Sequence, residues 1–157
     1  MTVIKKHIPK GANNPEKKIT PDTIVIHYSG VRDCPAARLA ECLINNNAND
    51  VSANYCVDET QIIETIPAGY MSYGVTGHNS HIINIETCYK DSSGRFELDT
   101  IANLRRIVKY CMREFNISAN KVVRHYDLTG KKCPWYYAEN PAEWARLHKM
   151  ITKGVIL

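Results

Sequence analysis

Two periods of apolar residues run through this chain. Between residues 101 and 115, Ile101, Leu104, Ile107, Val108, Cys111, Met112 and Phe115 recur at three- and four-residue spacing, the period of a helix with one buried face. The opposite face of that predicted helix carries Arg105, Arg106, Lys109 and Arg113. Elsewhere the runs are short and β-branched. Thr23-Ile24-Val25-Ile26-His27-Tyr28 predicts a strand stopped by Ser29-Gly30, with His27 near its C-terminal end. Residues 54–57 and 61–66 predict a hairpin turning on Asp58-Glu59-Thr60, and residues 82–88 a further strand with Glu86 near its end. Residues 121–124 predict a short strand that delivers His125 to a loop over residues 126–135. A helix is expected over 35–46, with Asp33 as its cap and Asn45-Asn46-Asn47 as its end. The last helix is expected to start from Asn140 as cap with Pro141 at its first position, burying Trp144, Leu147 and Ile151. The first twenty residues are polar and broken by Gly11-Ala12-Asn13-Asn14-Pro15, which predicts an extended arm.

Strands interleaved with helices imply an α/β fold, a mostly buried sheet with helices against it. At 157 residues the chain suits a single domain, and no internal repeat or second-domain linker is visible. A net charge of +4 is too mild to identify a polyanionic partner, and four cations on one helix face are most simply a solvated surface, so no nucleic-acid partner is expected. No run approaches the roughly 18 to 20 apolar residues that cross a bilayer, so no membrane partner is expected either. The N-terminus, with Lys5, Lys6 and His7, has no apolar secretory core. The chain is therefore expected to be made and folded in the cytoplasm.

Six cysteines, with no CxxC pair, do not make a disulfide framework in a chain that can build its own core. Cys34, Cys42, Cys56, Cys88 and Cys111 fall in predicted elements or at their starts and are expected to be buried thiols. Cys133 stands apart, in a polar loop before Pro134. With His27 and His125 it makes a set of side chains suited to zinc, which takes imidazole nitrogen and thiolate sulfur and in catalytic sites keeps one position open. Taken singly, His27 reads equally as a hydrogen-bonded core residue, His125 as a loop histidine and Cys133 as a packed thiol.

The local strings decide more than the spacing does. Ile26-His27-Tyr28, then Ser52-Ala53-Asn54-Tyr55-Cys56-Val57-Asp58, then Ile83-Asn84-Ile85-Glu86, and last Arg124-His125-Tyr126-Asp127-Leu128-Thr129-Gly130-Lys131-Lys132-Cys133-Pro134 occur in this order. Together they resemble the zinc-dependent N-acetylmuramoyl-L-alanine amidases of type 2, the family of phage endolysins, bacterial autolysins and animal peptidoglycan recognition proteins. The resemblance spans roughly residues 20 to 150.

It implies a central mixed β-sheet flanked by helices, with a zinc-bearing groove on one side. It also implies cleavage of the amide between N-acetylmuramic acid and the L-alanine of the peptidoglycan stem peptide, by one zinc ion per chain. By position in the motif, His27, His125 and Cys133 are the implied zinc ligands, Glu86 the acid/base, Lys131 the group facing the developing oxyanion, and Tyr55 an active-site tyrosine; from the strand pattern alone Tyr55 reads equally as a core residue and Glu86 as a rim salt bridge. Lys132 should point away. Each ligating imidazole should donate its other N–H to a partner; Asp127 is a candidate for that role and equally for capping the loop.

The chain departs from the family where relatives often carry Trp-His-Ala-Gly. Here the stretch reads Ser72-Tyr73-Gly74-Val75-Thr76-Gly77, and Tyr73 and Thr76 are expected to line the groove. His78 and His81 are read as loop residues. A monomer acting on bacterial peptidoglycan after release from the cell is the expectation, with a wall-binding domain possible beyond residue 157. The alternatives are a non-catalytic peptidoglycan-binding module, disfavoured by the presence of Cys133, and a regulatory or nucleic-acid-binding protein using the basic helix face.

Overall fold

The computed structural model describes residues 2–45 and 50–154. Six strands form one mixed sheet: β1 (Ile4–Lys5), β2 (Thr23–Tyr28), β3 (Tyr55–Val57), β4 (Ile62–Glu64), β5 (Ile82–Thr87) and β6 (Val122–Arg124). Their spatial order is β1-β4-β3-β5-β2-β6, and only the β3–β4 hairpin is antiparallel. The central strands are buried on both faces, which is why β2 reads as an almost continuous apolar run rather than an alternating one.

Register divides the side chains between two faces. Ile24 and Ile26 of β2 pair with Ile83 and Ile85 of β5, and Tyr55 pairs with Ile85. These residues pack against helix α2 (Leu98–Glu114) and the C-terminal helix α5 (Pro141–Thr152), in a core that includes Leu104, Ile107, Val108, Met112, Leu147 and Ile151. On the other face, Val25 and His27 pair with Asn84 and Glu86, and Cys56 pairs with Glu86. Helix α1 (Ala36–Asn45) covers part of this face, burying Ala36, Ala40 and Leu43 against Cys56 and Ile63. The remainder stays open.

Several local expectations are revised. The N-terminus of α1 is capped from the hairpin turn, where the Asp58 carboxylate accepts the Ala36 N–H at 2.8 Å. The expected cap, Asp33, instead takes a left-handed conformation (φ 57°) and donates its backbone N–H to the Tyr89 carbonyl. The expected end of this helix at Asn46-Asn47 lies outside the described residues. Cys42 is exposed, because the buried stripe of α1 runs through Ala36, Ala40 and Leu43 and leaves it outside; the other four expected core thiols are buried.

The expected loop after His125 is largely helical, with α3 (His125–Thr129) and α4 (Trp135–Glu139). The Asp127 carboxylate accepts both the backbone N–H and the guanidinium of Arg124 at the start of α3, and Gly130, at φ 77°, ends it in the left-handed conformation that costs glycine no Cβ clash. Asn140 precedes α5, but its side chain turns back to donate to the Tyr136 carbonyl and does not cap. The N-terminal arm is largely irregular, contributes β1 as an edge strand, and buries Ile8 and Asn14. No helix of the described residues is long and apolar enough to cross a membrane.

Candidate active site

The open part of the second face is a groove of about 620 Å³ lined by residues from β2, α1, β5, α3 and the loops between them. His27 comes from the C-terminal end of β2, His125 from the first turn of α3 directly after β6, and Cys133 from the loop between α3 and α4. A bond from the Tyr126 N–H to the Cys133 carbonyl, 2.9 Å, folds that loop back onto α3 and returns the thiol to the histidines. All three side chains are buried, and their donor atoms lie within 4.8 Å of one another. They are the only such cluster among the described residues.

Both distances from His27 to the other donors suit a tetrahedral ion. The two Nδ1 atoms stand 3.2 Å apart and Cys133 Sγ stands 3.7 Å from His27 Nδ1. Nitrogen and sulfur donors at zinc-like bond lengths would be separated by about 3.3 Å and about 3.6 Å at the tetrahedral angle. Protonation suits the role as well. Burial lowers the His27 pKa to about 3, the Asn84 hydrogen bond opposing and the charges of His125 and Lys131 adding to the fall, so the ring is neutral. His125 is lowered by burial and then by Lys131 and His78. Burial pushes the Cys133 thiol up to about 12, and the Glu86 charge pushes in the same direction. Ligation there would require the thiol to release its proton to solvent, the cation replacing it on sulfur.

Glu86 lies beside His27 in the β2–β5 register and lines the same groove. Its Oε2 is buried and has no hydrogen-bond partner among the described residues. Burial raises its pKa to about 8, against the opposing charge of Lys131. Lys131, exposed on the groove wall, is the cation that acts on His27, His125 and Glu86 alike. Lys132 points away, to the Glu139 carboxylate at 2.7 Å. Tyr73 and Thr76 line the groove, whereas His78 and His81 pack edge to face outside it.

Two expected residues are placed elsewhere. Tyr55 belongs to the opposite face of the sheet, because its register partner is Ile85 and not Glu86. Its ring is buried among the α2 core residues and its hydroxyl donates to Glu64 Oε2 at 3.3 Å, out of reach of the metal donors. Asp127 is engaged by Arg124 through both carboxylate oxygens. Asn84, to which the sequence assigns no role, is a further member: its Oδ1 meets His27 Nε2 at 2.9 Å. One polar residue within Ile82-Ile83-Asn84-Ile85 was the signal available, since such a group is costly to bury unless it is bonded.

Known proteins show the family and the fold. The family model described as N-acetylmuramoyl-L-alanine amidase matches residues 17–136. The N-acetylmuramoyl-L-alanine amidase XlyA of Bacillus subtilis (strain 168) is 32% identical over 140 residues, covering 85% of this chain and 46% of XlyA. CwlH of the same organism is 30% identical over 142 residues, covering 85% of this chain and 56% of CwlH. The chain thus spans about half the length of the curated relatives it matches. Among solved structures, PlyL superposes with a TM-score of 0.87 at 26% identity, covering 99% of this chain and 100% of PlyL. The catalytic domain of XlyA superposes with a TM-score of 0.84 at 26% identity, covering 96% of this chain and 99% of that domain.

Proposed function

The chain belongs to the N-acetylmuramoyl-L-alanine amidase family, and on that premise we propose that it hydrolyses the amide between N-acetylmuramic acid and the L-alanine of the peptidoglycan stem peptide, using one zinc ion held by His27, His125 and Cys133. One observation carries this reading: a buried donor triad whose atoms lie within 4.8 Å of one another shares its groove with a glutamate whose buried oxygen is unpartnered. A bound zinc ion supplies Lewis acidity, which polarises the amide carbonyl and lowers the pKa of water toward neutrality.

The chain's own residues supply the rest. Glu86, its carboxyl raised to about 8, in its ionised form takes a proton from the attacking water and returns it to the departing alanine nitrogen. Lys131, free on the groove wall, faces the oxygen on which negative charge develops. Tyr73 and Thr76 hold the substrate along the groove. In the cell the chain acts as a monomeric endolysin or autolysin unit that works on the wall after release.

Product analysis on Gram-positive cell walls tests the proposal. New L-alanine amino termini without new reducing sugars, abolished by a chelator and restored by zinc, are expected. Binding to walls with no new termini would instead make the chain a recognition module, and new reducing ends would make it a glycosidase.

A further inference from the structure

Behind His27 lies a chain of buried polar side chains that no step of the hydrolysis uses. It begins at three backbone carbonyls, those of Ile66, Pro67 and Tyr70, which can only accept. Asn54 Nδ2 lies 3.3, 3.3 and 3.1 Å from them, which fixes that end of the Asn54 amide as its NH₂ group. Asn54 Oδ1 therefore faces the other way, where it accepts the Asn84 backbone N–H at 2.9 Å and the Ser72 hydroxyl at 2.8 Å. With its one proton so committed, Ser72 Oγ accepts from Asn84 Nδ2 at 2.9 Å. Asn84 Oδ1 is left to meet His27 Nε2. An acceptor there requires Nε2 to carry the imidazole proton, and in the neutral ring Nδ1 is then a bare lone pair.

That bare atom is the one that faces His125 and Cys133. Asn54, Ser72 and Asn84 are all fully or almost fully buried, so reversing any one link would leave donor against donor or acceptor against acceptor with no water to compensate. Gly74 completes the arrangement. A Cβ at this position would lie 2.3 Å from Asn84 Oδ1 and 2.4 Å from its Cγ, so any side chain there evicts the amide.

We propose that Asn84 is a positioning residue that holds His27 in the Nε2–H tautomer with Nδ1 presented to the metal, that Asn54 and Ser72 fix the direction of its amide, and that Gly74 is required to make room for it. The inference rests on the zinc-binding part of the proposed function and on no part of the amide chemistry.

Two readouts independent of turnover test it. Long-range ¹H–¹⁵N spectra of the zinc-loaded chain should show the His27 proton on Nε2, with Nδ1 unprotonated; a proton on Nδ1 overturns the inference. Chelator competition should show zinc binding weakened by about 10- to 100-fold in Asn84→Leu and in Gly74→Ala, the loss typical when the partner of a ligating histidine is removed. Asn84→Asp, which keeps the acceptor at His27 Nε2 but loses the donation to Ser72 Oγ, should bind zinc more tightly than Asn84→Leu and less tightly than the parent. Gly74→Ala leaves residue 84 chemically intact, so it carries the test if Asn84→Leu fails to fold. Parental zinc affinity in a folded Gly74→Ala or Asn84→Leu protein overturns the proposal. A chain that shows the expected tautomer and affinities but releases no alanine termini from walls keeps this inference and loses the amidase reading.

Discussion

The two faces of the β2–β5 ribbon are built from alternate residues of the same strands, yet they solve opposite problems. Toward α2 and α5 the side chains are Ile24, Ile26, Ile83 and Ile85, and the free energy of that face comes from removing apolar area from water. Toward the groove they are Val25, His27, Asn84 and Glu86, where polar groups are buried at a cost offset only by a directed set of hydrogen bonds. The first face tolerates change in proportion to volume. The second depends on which atom carries each proton. Stability and chemistry are thus separated by the pleat of one sheet, and substitutions on the two faces should fail in different ways.

The largest expected effect falls on the groove face. Glu86→Ala should lower turnover by about 10²- to 10⁴-fold, the range of a lost general acid/base, while zinc content and melting temperature stay near the parental values. Removing an unpartnered buried carboxylate gives up no hydrogen bond, so stability should hold or rise slightly. Near-parental release of alanine termini would take Glu86 out of the mechanism. On the apolar face the pattern should invert. Leu104→Ala, at a fully buried position in the α2 core, should cost about 2–5 kcal/mol in denaturant unfolding. Zinc affinity in the fraction that remains folded should be unchanged, and a variant that lost zinc before it lost structure would show the faces to be coupled.

This separation also explains what was legible in the sequence. The α2 face could be read because helix periodicity and β-branched runs are local signals, and α2, β2, β5 and the hairpin stand where those signals place them. His27, His125, Cys133, Glu86 and Lys131 could be read because they sit in compact strings whose order resembles a known family. What failed was whatever depends on register between strands. Tyr55 adjoins Asn54, a residue of the buried polar chain behind His27, but the pairing of Tyr55 with Ile85 turns its ring to the opposite face. Asn54, Ser72 and Asn84 are separated by 12 to 30 residues in sequence and become one network only when the strands align. The stretch 72–77, which departs from the family string, gained a meaning only when the space at Gly74 was seen to be filled by Asn84. Helix α3 escaped notice because at five residues it shows no periodicity and is set by the Arg124–Asp127 pair.

A smaller effect should separate the faces by pH. Burial alone would push the Asp58 carboxyl up, but hydrogen bonds from the Ala36, Thr60 and Gln61 backbones and from the Thr60 hydroxyl outweigh it and hold the group below its ordinary 3.8. A carboxyl depressed in the folded state adds stability that is fully present above the unfolded value and is lost as pH falls through the folded one. Unfolding free energy should therefore decline below about pH 4 as the cap on α1 is protonated. Asp58→Asn should be less stable at pH 7 and flatter across the acid range. An acid limb as steep as the parent's would move the cause to other carboxylates.

The smallest expected effect cuts most directly at the division between faces. Tyr55→Phe removes one hydroxyl that donates to Glu64 and leaves a ring buried against α2. Loss of a single hydrogen bond of this kind costs about 1 kcal/mol. Glu64 retains His7, 2.8 Å from its other oxygen, so the carboxylate is not left unpaired. Turnover on cell walls should stay within about twofold, since a change of that size lies well below the contribution of any group touching the reacting atoms. If the variant instead lost about a hundredfold in turnover with its melting temperature intact, the phenol would have to reach the groove. The β3–β5 register that assigns Tyr55 to the apolar face would then be wrong, and with it the separation of the two faces at that strand.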